Sequence, residues 1–78
     1  MMRSQAMNDT AATIQVNGEH EILGVTTIAA LLAEKNIGTD ARGVAVALNG
    51  AVVPRAAWPE TRLRPGDAVE IVRARQGG

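Results

Sequence analysis

Two Asn-Gly pairs, Asn17-Gly18 and Asn49-Gly50, constrain the fold of this chain more than any other feature. A two-residue hairpin turn that matches the twist of its strands needs positive φ at both central residues, which Asn and Gly tolerate. Each pair sits between strand-like segments. Thr13-Ile14-Gln15-Val16 alternates polar and apolar residues before the first turn, and His20-Glu21-Ile22-Leu23 returns after it, ending at Gly24. Val44-Ala45-Val46-Ala47-Leu48 leads into the second turn and reads as a central strand, with Val44, Val46 and Leu48 on one face. Val52-Val53 follows and is stopped by Pro54, which cannot donate to a ladder.

Between the hairpins the period changes. Ile28, Leu31 and Leu32 fall at i, i+3 and i+4 and predict one apolar helix stripe, with Thr26 or Thr27 as its cap. Asn36 is suited to a left-handed close, and Ile37 to folding back on the last turn. Arg55 to Leu63 reads as an irregular connection with one helical turn near Ala56 to Trp58. Pro65-Gly66-Asp67 is a turn, and Ala68 to Ala74 the last strand, with Val69 and Ile71 on one face and Glu70 and Val72 on the other. Hairpin, helix, hairpin, connection and strand make an α+β domain, a mixed sheet with one main helix packed on one face. This is the ubiquitin-like β-grasp layout, although pattern alone leaves the strand order open.

The 78 residues permit one small domain. The expected organisation is a disordered leader over 1–11, a β-grasp domain over 12–74 and a flexible tail over 75–78. Hydrophobic residues make up 46% of the chain and are almost all aliphatic, so stability must come from close aliphatic packing around Trp58, the one aromatic residue.

The same composition removes several kinds of chemistry. With no cysteine there is no thiol nucleophile, persulfide or disulfide, and with His20 as the single histidine there is no histidine metal cluster. No cofactor is called for. Eight basic and eight acidic residues balance to zero, which argues against nucleic acid as a partner. No apolar run approaches membrane-spanning length, and Met1 to Thr10 lacks the apolar segment of a secretory signal. The expectation is a cytoplasmic protein with no membrane partner.

The second half carries a resemblance. Val46-Ala47-Leu48-Asn49-Gly50, Val53-Pro54-Arg55 with Trp58 three positions on, Leu63, Gly66-Asp67, Val69-Glu70-Ile71-Val72 and terminal Gly77-Gly78 together resemble the thiamin-pathway sulfur carrier family. The first half is similar more loosely, through Ile14-Gln15-Val16-Asn17-Gly18-Glu19 and Thr27-Ile28-Ala29 before Leu31-Leu32. A terminal Gly-Gly alone is a weak signal. Val-Pro-Arg-x-x-Trp at this distance before Gly-Asp and Gly-Gly is far more specific.

The resemblance implies a carrier that is not itself an enzyme. An ATP-dependent activating enzyme adenylates the terminal glycine, here Gly78. Sulfur from a cysteine-desulfurase-derived persulfide then replaces the adenylate, leaving a thiocarboxylate whose sulfur passes to thiazole synthase. The chemistry suits the residues. A terminal carboxylate, with a reference pKa near ~3.5, is anionic at neutral pH. Glycines at 77 and 78 leave two partners room to surround one carbonyl.

Around Gly78, the candidate partner-binding residues are Gly77, Gln76, Arg75, Arg73 and Val72. Arg73 and Arg75 are placed to steer the tail toward phosphate or acidic surfaces, against the plainer reading of two solvated charges. Val72, opposite in facing to Ile71 and near small Ala45 and Ala47, is either part of a flat docking surface or an ordinary exposed strand valine. A lone Trp in a small domain more often closes the core than anchors an interface, so Trp58 is assigned to the core. Arg55 is left between pairing with a carboxylate and contacting a partner, and His20 is a solvated strand residue. Two other readings share the fold: a carrier resembling the small subunit of molybdopterin synthase, and a passive ubiquitin-like binding module.

Overall fold

The computed structural model describes residues 12–38 and 42–73. The predicted leader, 1–11, and the predicted tail, 75–78, lie outside the described residues, as does Ala74, the predicted end of the last strand.

Both Asn-Gly pairs form the turns their chemistry predicts. Asn17 and Asn49 each adopt φ 52°, followed by Gly18 at 85° and Gly50 at 88°. The first turn joins β1 (Thr13–Val16) to β2 (Glu19–Ile22), with Val16 opposite Glu19. A two-residue turn fixes that register, so β2 starts one residue earlier than the apolar pattern suggested. The second joins β3 (Val44–Leu48) to β4 (Ala51–Val53), and Pro54 ends β4 as expected.

The helix α1 (Ile28–Glu34) satisfies its exposed backbone ends in three ways. Thr27 is the cap, its hydroxyl accepting from Ala30 N–H at 3.1 Å. Ile28 and Ala29 N–H donate to the carbonyls of Thr61 and Trp58, at 3.1 Å each, so the irregular connection closes the helix start. At the other end, Asn36 at φ 63° donates to Ala33 and Ile37 N–H donates to Leu32. That pair of bonds turns the chain sharply and buries Ile37 against the core.

β5 (Ala68–Arg73) completes a five-stranded sheet in the order β2-β1-β5-β3-β4. The last strand therefore occupies the centre, and β3, read from the sequence as central, lies between β5 and edge strand β4. β5 runs parallel to β1 and antiparallel to β3. A short apolar strand looks alike at either position, so only these long-range pairings decide the order.

One sheet face is covered. Ile14, Val16, Val46, Val69 and Ile71 pack from the sheet against Ile28, Leu31, Leu32 and Ile37 from the helix and its exit, with Leu63 and Trp58 from the connection. Trp58 is 1% exposed, so it belongs to the core. It follows a single 3₁₀ turn, Arg55–Ala57, in the predicted place. No polar or charged residue among the described ones is buried.

Candidate functional site

The candidate reacting group, the carboxylate of Gly78, lies outside the described residues, as do Gly77, Gln76 and Arg75. The structure places the strand that leads to them. β5 sits between β1 and β3 and ends at Arg73. The strand that leads to the tail thus runs through the middle of the sheet, paired with β3 as far as Arg73 and with β1 at Ala68 and Val69.

Val72 and Arg73 are both exposed at this base. Val72 stands opposite Ala45 on β3, itself exposed, and on the open face that no helix covers. Glu70 and Ala47 form the next pair on this face, and Ala47 pairs onward with Val52 on β4. Val72 is 62% exposed and Val52 76%, so small and apolar groups line the open face with one carboxylate between them. Val72 is the last residue of this face before the strand ends at Arg73.

Arg73 stands opposite Val44 and lines the rim of a groove of about 350 Å³. Asn17, Glu21, Lys35, Ile37 and Ile71 also line it. Across this groove Lys35 Nζ bridges to the Glu21 carboxylate at 2.7 Å, tying β2 to the end of the helix. Arg55, from the Val-Pro-Arg motif, lies with its guanidinium carbon 5.6 Å from the Trp58 ring centroid. The arginine and tryptophan of that motif are thereby one structural unit: Trp58 fills the core and Arg55 covers its ring. His20 is exposed on β2.

Two side chains assigned only to turns make long-range contacts with the tail-bearing strand. Asn17 Oδ1 accepts from Ile71 N–H at 2.8 Å, and Asn49 Oδ1 accepts from Ala68 N–H at 2.9 Å. The available signal was asparagine, where glycine would turn the chain equally well.

Among the described residues no three His, Cys, Asp or Glu side chains converge to hold a metal, and no helix is long and apolar enough to cross a membrane. The described surface provides an open sheet face and, at Arg73, the end of the strand that leads toward Gly78.

Comparison with known proteins meets this geometry. The chain is 38% identical over 65 residues to the sulfur carrier protein ThiS of Thermus thermophilus, covering 83% of this chain and 98% of that protein. The fold matches the crystal structure of the thiamine biosynthesis protein ThiS from Geobacter metallireducens with a TM-score of 0.69 and 33% identity, over 85% of this chain and 99% of the other. The sequence profile of the ThiS family matches residues 8–78, a span that starts inside the predicted leader and runs through both terminal glycines. With the β-grasp sheet, the Arg55–Trp58 unit and the Gly-Gly end in one chain, this protein belongs to the ThiS family.

Proposed function

We propose that the chain carries sulfur for the thiazole part of thiamin, as a thiocarboxylate on Gly78. The observation that carries this reading is the extent of the family match, which runs to the last residue and so includes the reacting end. The position of β5 supports it, because the strand leading to the tail is anchored inside the sheet, between β1 and β3.

The chain's own contribution is the carboxylate and its presentation. In a partner's site the carboxylate oxygen attacks the α-phosphate of ATP and pyrophosphate leaves. The acyl-adenylate makes the carbonyl electrophilic. Persulfide sulfur displaces AMP at that carbonyl, and cleavage of the sulfur–sulfur bond by a thiol leaves the thiocarboxylate. Every thiol in this sequence belongs to partners, since the chain has no cysteine. Thiazole synthase then takes the sulfur and returns the carboxylate. The open face around Val72 and Ala45 docks, and Arg73, Ala74, Arg75 and Gln76 thread toward the partner's reaction centre. The protein works in the cytoplasm, beside the activating enzyme and the desulfurase that supplies sulfur.

The test is intact mass after incubation with ATP, an activating enzyme of the thiamin pathway and a persulfide source. The expected product gains the mass of one oxygen-for-sulfur exchange. Absence of any sulfur loading, with the activating enzyme shown to load another ThiS protein, rejects the carrier reading in favour of a passive binding module.

A further inference from the structure

β5 is flanked unequally. On one side β3 accompanies it from Leu48 opposite Val69 to Val44 opposite Arg73. On the other, β1 pairs with it only at Ala68 and Val69, because Asn17 and Gly18 then turn the chain away into β2. The stretch of β5 that leads to the tail has no backbone strand on its β1 side.

The Asn17 carboxamide takes that place. Its backbone N–H donates to the Val69 carbonyl at 2.9 Å. Two residues further along β5, its Oδ1 accepts from Ile71 N–H at 2.8 Å and its Nδ2 donates to the Ile71 carbonyl at 3.3 Å. A primary amide offers the same donor and acceptor pair as a peptide group, so it continues the β1 ladder for one more rung. Both groups it satisfies are partly buried. The turn does not require this side chain, since glycine adopts φ near 52° without strain.

We propose that Asn17 is a positioning residue for Gly78: it holds the end of β5 in the sheet and so fixes the point from which the tail reaches the activating enzyme. This inference rests on the carrier reading given above. Asn49 supplies an internal comparison. It has the same φ and the same kind of turn, and its side chain also makes two bonds, from Ala68 N–H at 2.9 Å and to the Asp67 carboxylate at 3.0 Å. Those bonds grip the start of β5, at the end away from the tail.

The experiment compares Asn17→Gly with Asn49→Gly in the full chain. Both variants keep a turn-compatible residue and lose two side-chain bonds. Hydrogen exchange at the Ile71 amide is expected to accelerate in Asn17→Gly and to stay near wild type in Asn49→Gly. If the strand end is then paired about one fifth of the time, the apparent KM of the activating enzyme for the carrier rises about fivefold with kcat unchanged. Asn17→Asp, which keeps the acceptor for Ile71 N–H and loses the donor, should fall between. Asn49→Gly should leave KM near wild type. Equal KM increases in the two glycine variants would reduce the effect to general stability and overturn the proposal, as would an unchanged KM in Asn17→Gly. A wild-type protein that is not adenylated would remove the carrier reading itself, and the positioning role with it; adenylation of wild type with unaltered Asn17→Gly kinetics removes only the positioning role.

Discussion

The indole Nε1–H of Trp58 donates to the backbone carbonyl of Val53 at 2.9 Å, tying the buried ring to the end of β4 five residues earlier. The bond lets the largest core side chain be fully enclosed without stranding its one polar atom. Trp58→Phe keeps most of the apolar contact and removes the bond to the Val53 carbonyl, at an expected cost of about 1 kcal/mol. Trp58→Ala also opens a cavity and should cost about 3–5 kcal/mol. Thermal melts followed by circular dichroism are the measurement, because either substitution removes the only aromatic fluorophore. Equal melting temperatures for wild type and Trp58→Phe would deny the bond its role.

The Glu21–Lys35 pair should contribute little. Its side chains are 31% and 30% exposed, so solvent screens the attraction. A double-mutant cycle with Glu21→Gln and Lys35→Met is expected to give a coupling of less than about 1 kcal/mol. That coupling should shrink further between low salt and 1 M salt, where the screening length falls to about 3 Å. A larger coupling that resists salt would mark the pair as a structural anchor of the groove.

Val72→Asp separates docking from folding. At 62% exposure the side chain has little core contact to lose, so stability should change by no more than about 1 kcal/mol. If the open face meets the activating enzyme, a carboxylate at its centre beside Glu70 should raise the apparent KM about tenfold. Titration of the variant against the activating enzyme is the check. An unchanged KM would return Val72 to the status of an ordinary exposed valine.

Removing Gly78 should abolish adenylation and leave the melting temperature unaltered. The deletion moves the terminal carboxylate one residue back from the partner's ATP and leaves the core side chains, Ile14 to Ile71, as they are. Adenylation of the deletion variant at the wild-type rate would exclude Gly78 as the reacting position.

Acceptor choice can be read with the thiocarboxylate form in hand. Loss of sulfur, followed by intact mass, should occur with thiazole synthase and not with the large subunit of molybdopterin synthase. Gln76→Trp should block that transfer sterically while the fold stays intact. Transfer only to the molybdopterin enzyme would reject the thiamin assignment and keep the thiocarboxylate chemistry.

The features legible in the sequence were the local ones. Thr27, Asn36, Pro54 and the two Asn-Gly pairs act on backbone within a few residues of themselves, so their chemistry announces them. Trp58 was assigned correctly to the core on its size and solitude. What the sequence did not reveal is the placement of β5. Val44–Leu48 is the more apolar of the two, VAVAL against AVEIVR, so composition points to the wrong strand, and only pairing with β1, more than fifty residues away, puts the later one in the centre. The contacts of Asn17 with Ile71 and of Asn49 with Ala68 were hidden for the same reason. A turn residue is predicted from its φ, and nothing nearby in sequence tells which distant strand its side chain will meet.

The central position of the last strand also bears on synthesis. While the chain is being made, β1, β2, α1, β3 and β4 can all emerge with the slot between β1 and β3 still empty. Closing that slot must wait for Ala68–Arg73, which follows all of them in the chain. A chain cut short before it lacks both the middle of its sheet and its C-terminal glycines. Such a fragment is expected to stay unfolded, so the fold and the C-terminal glycines are gained together or not at all.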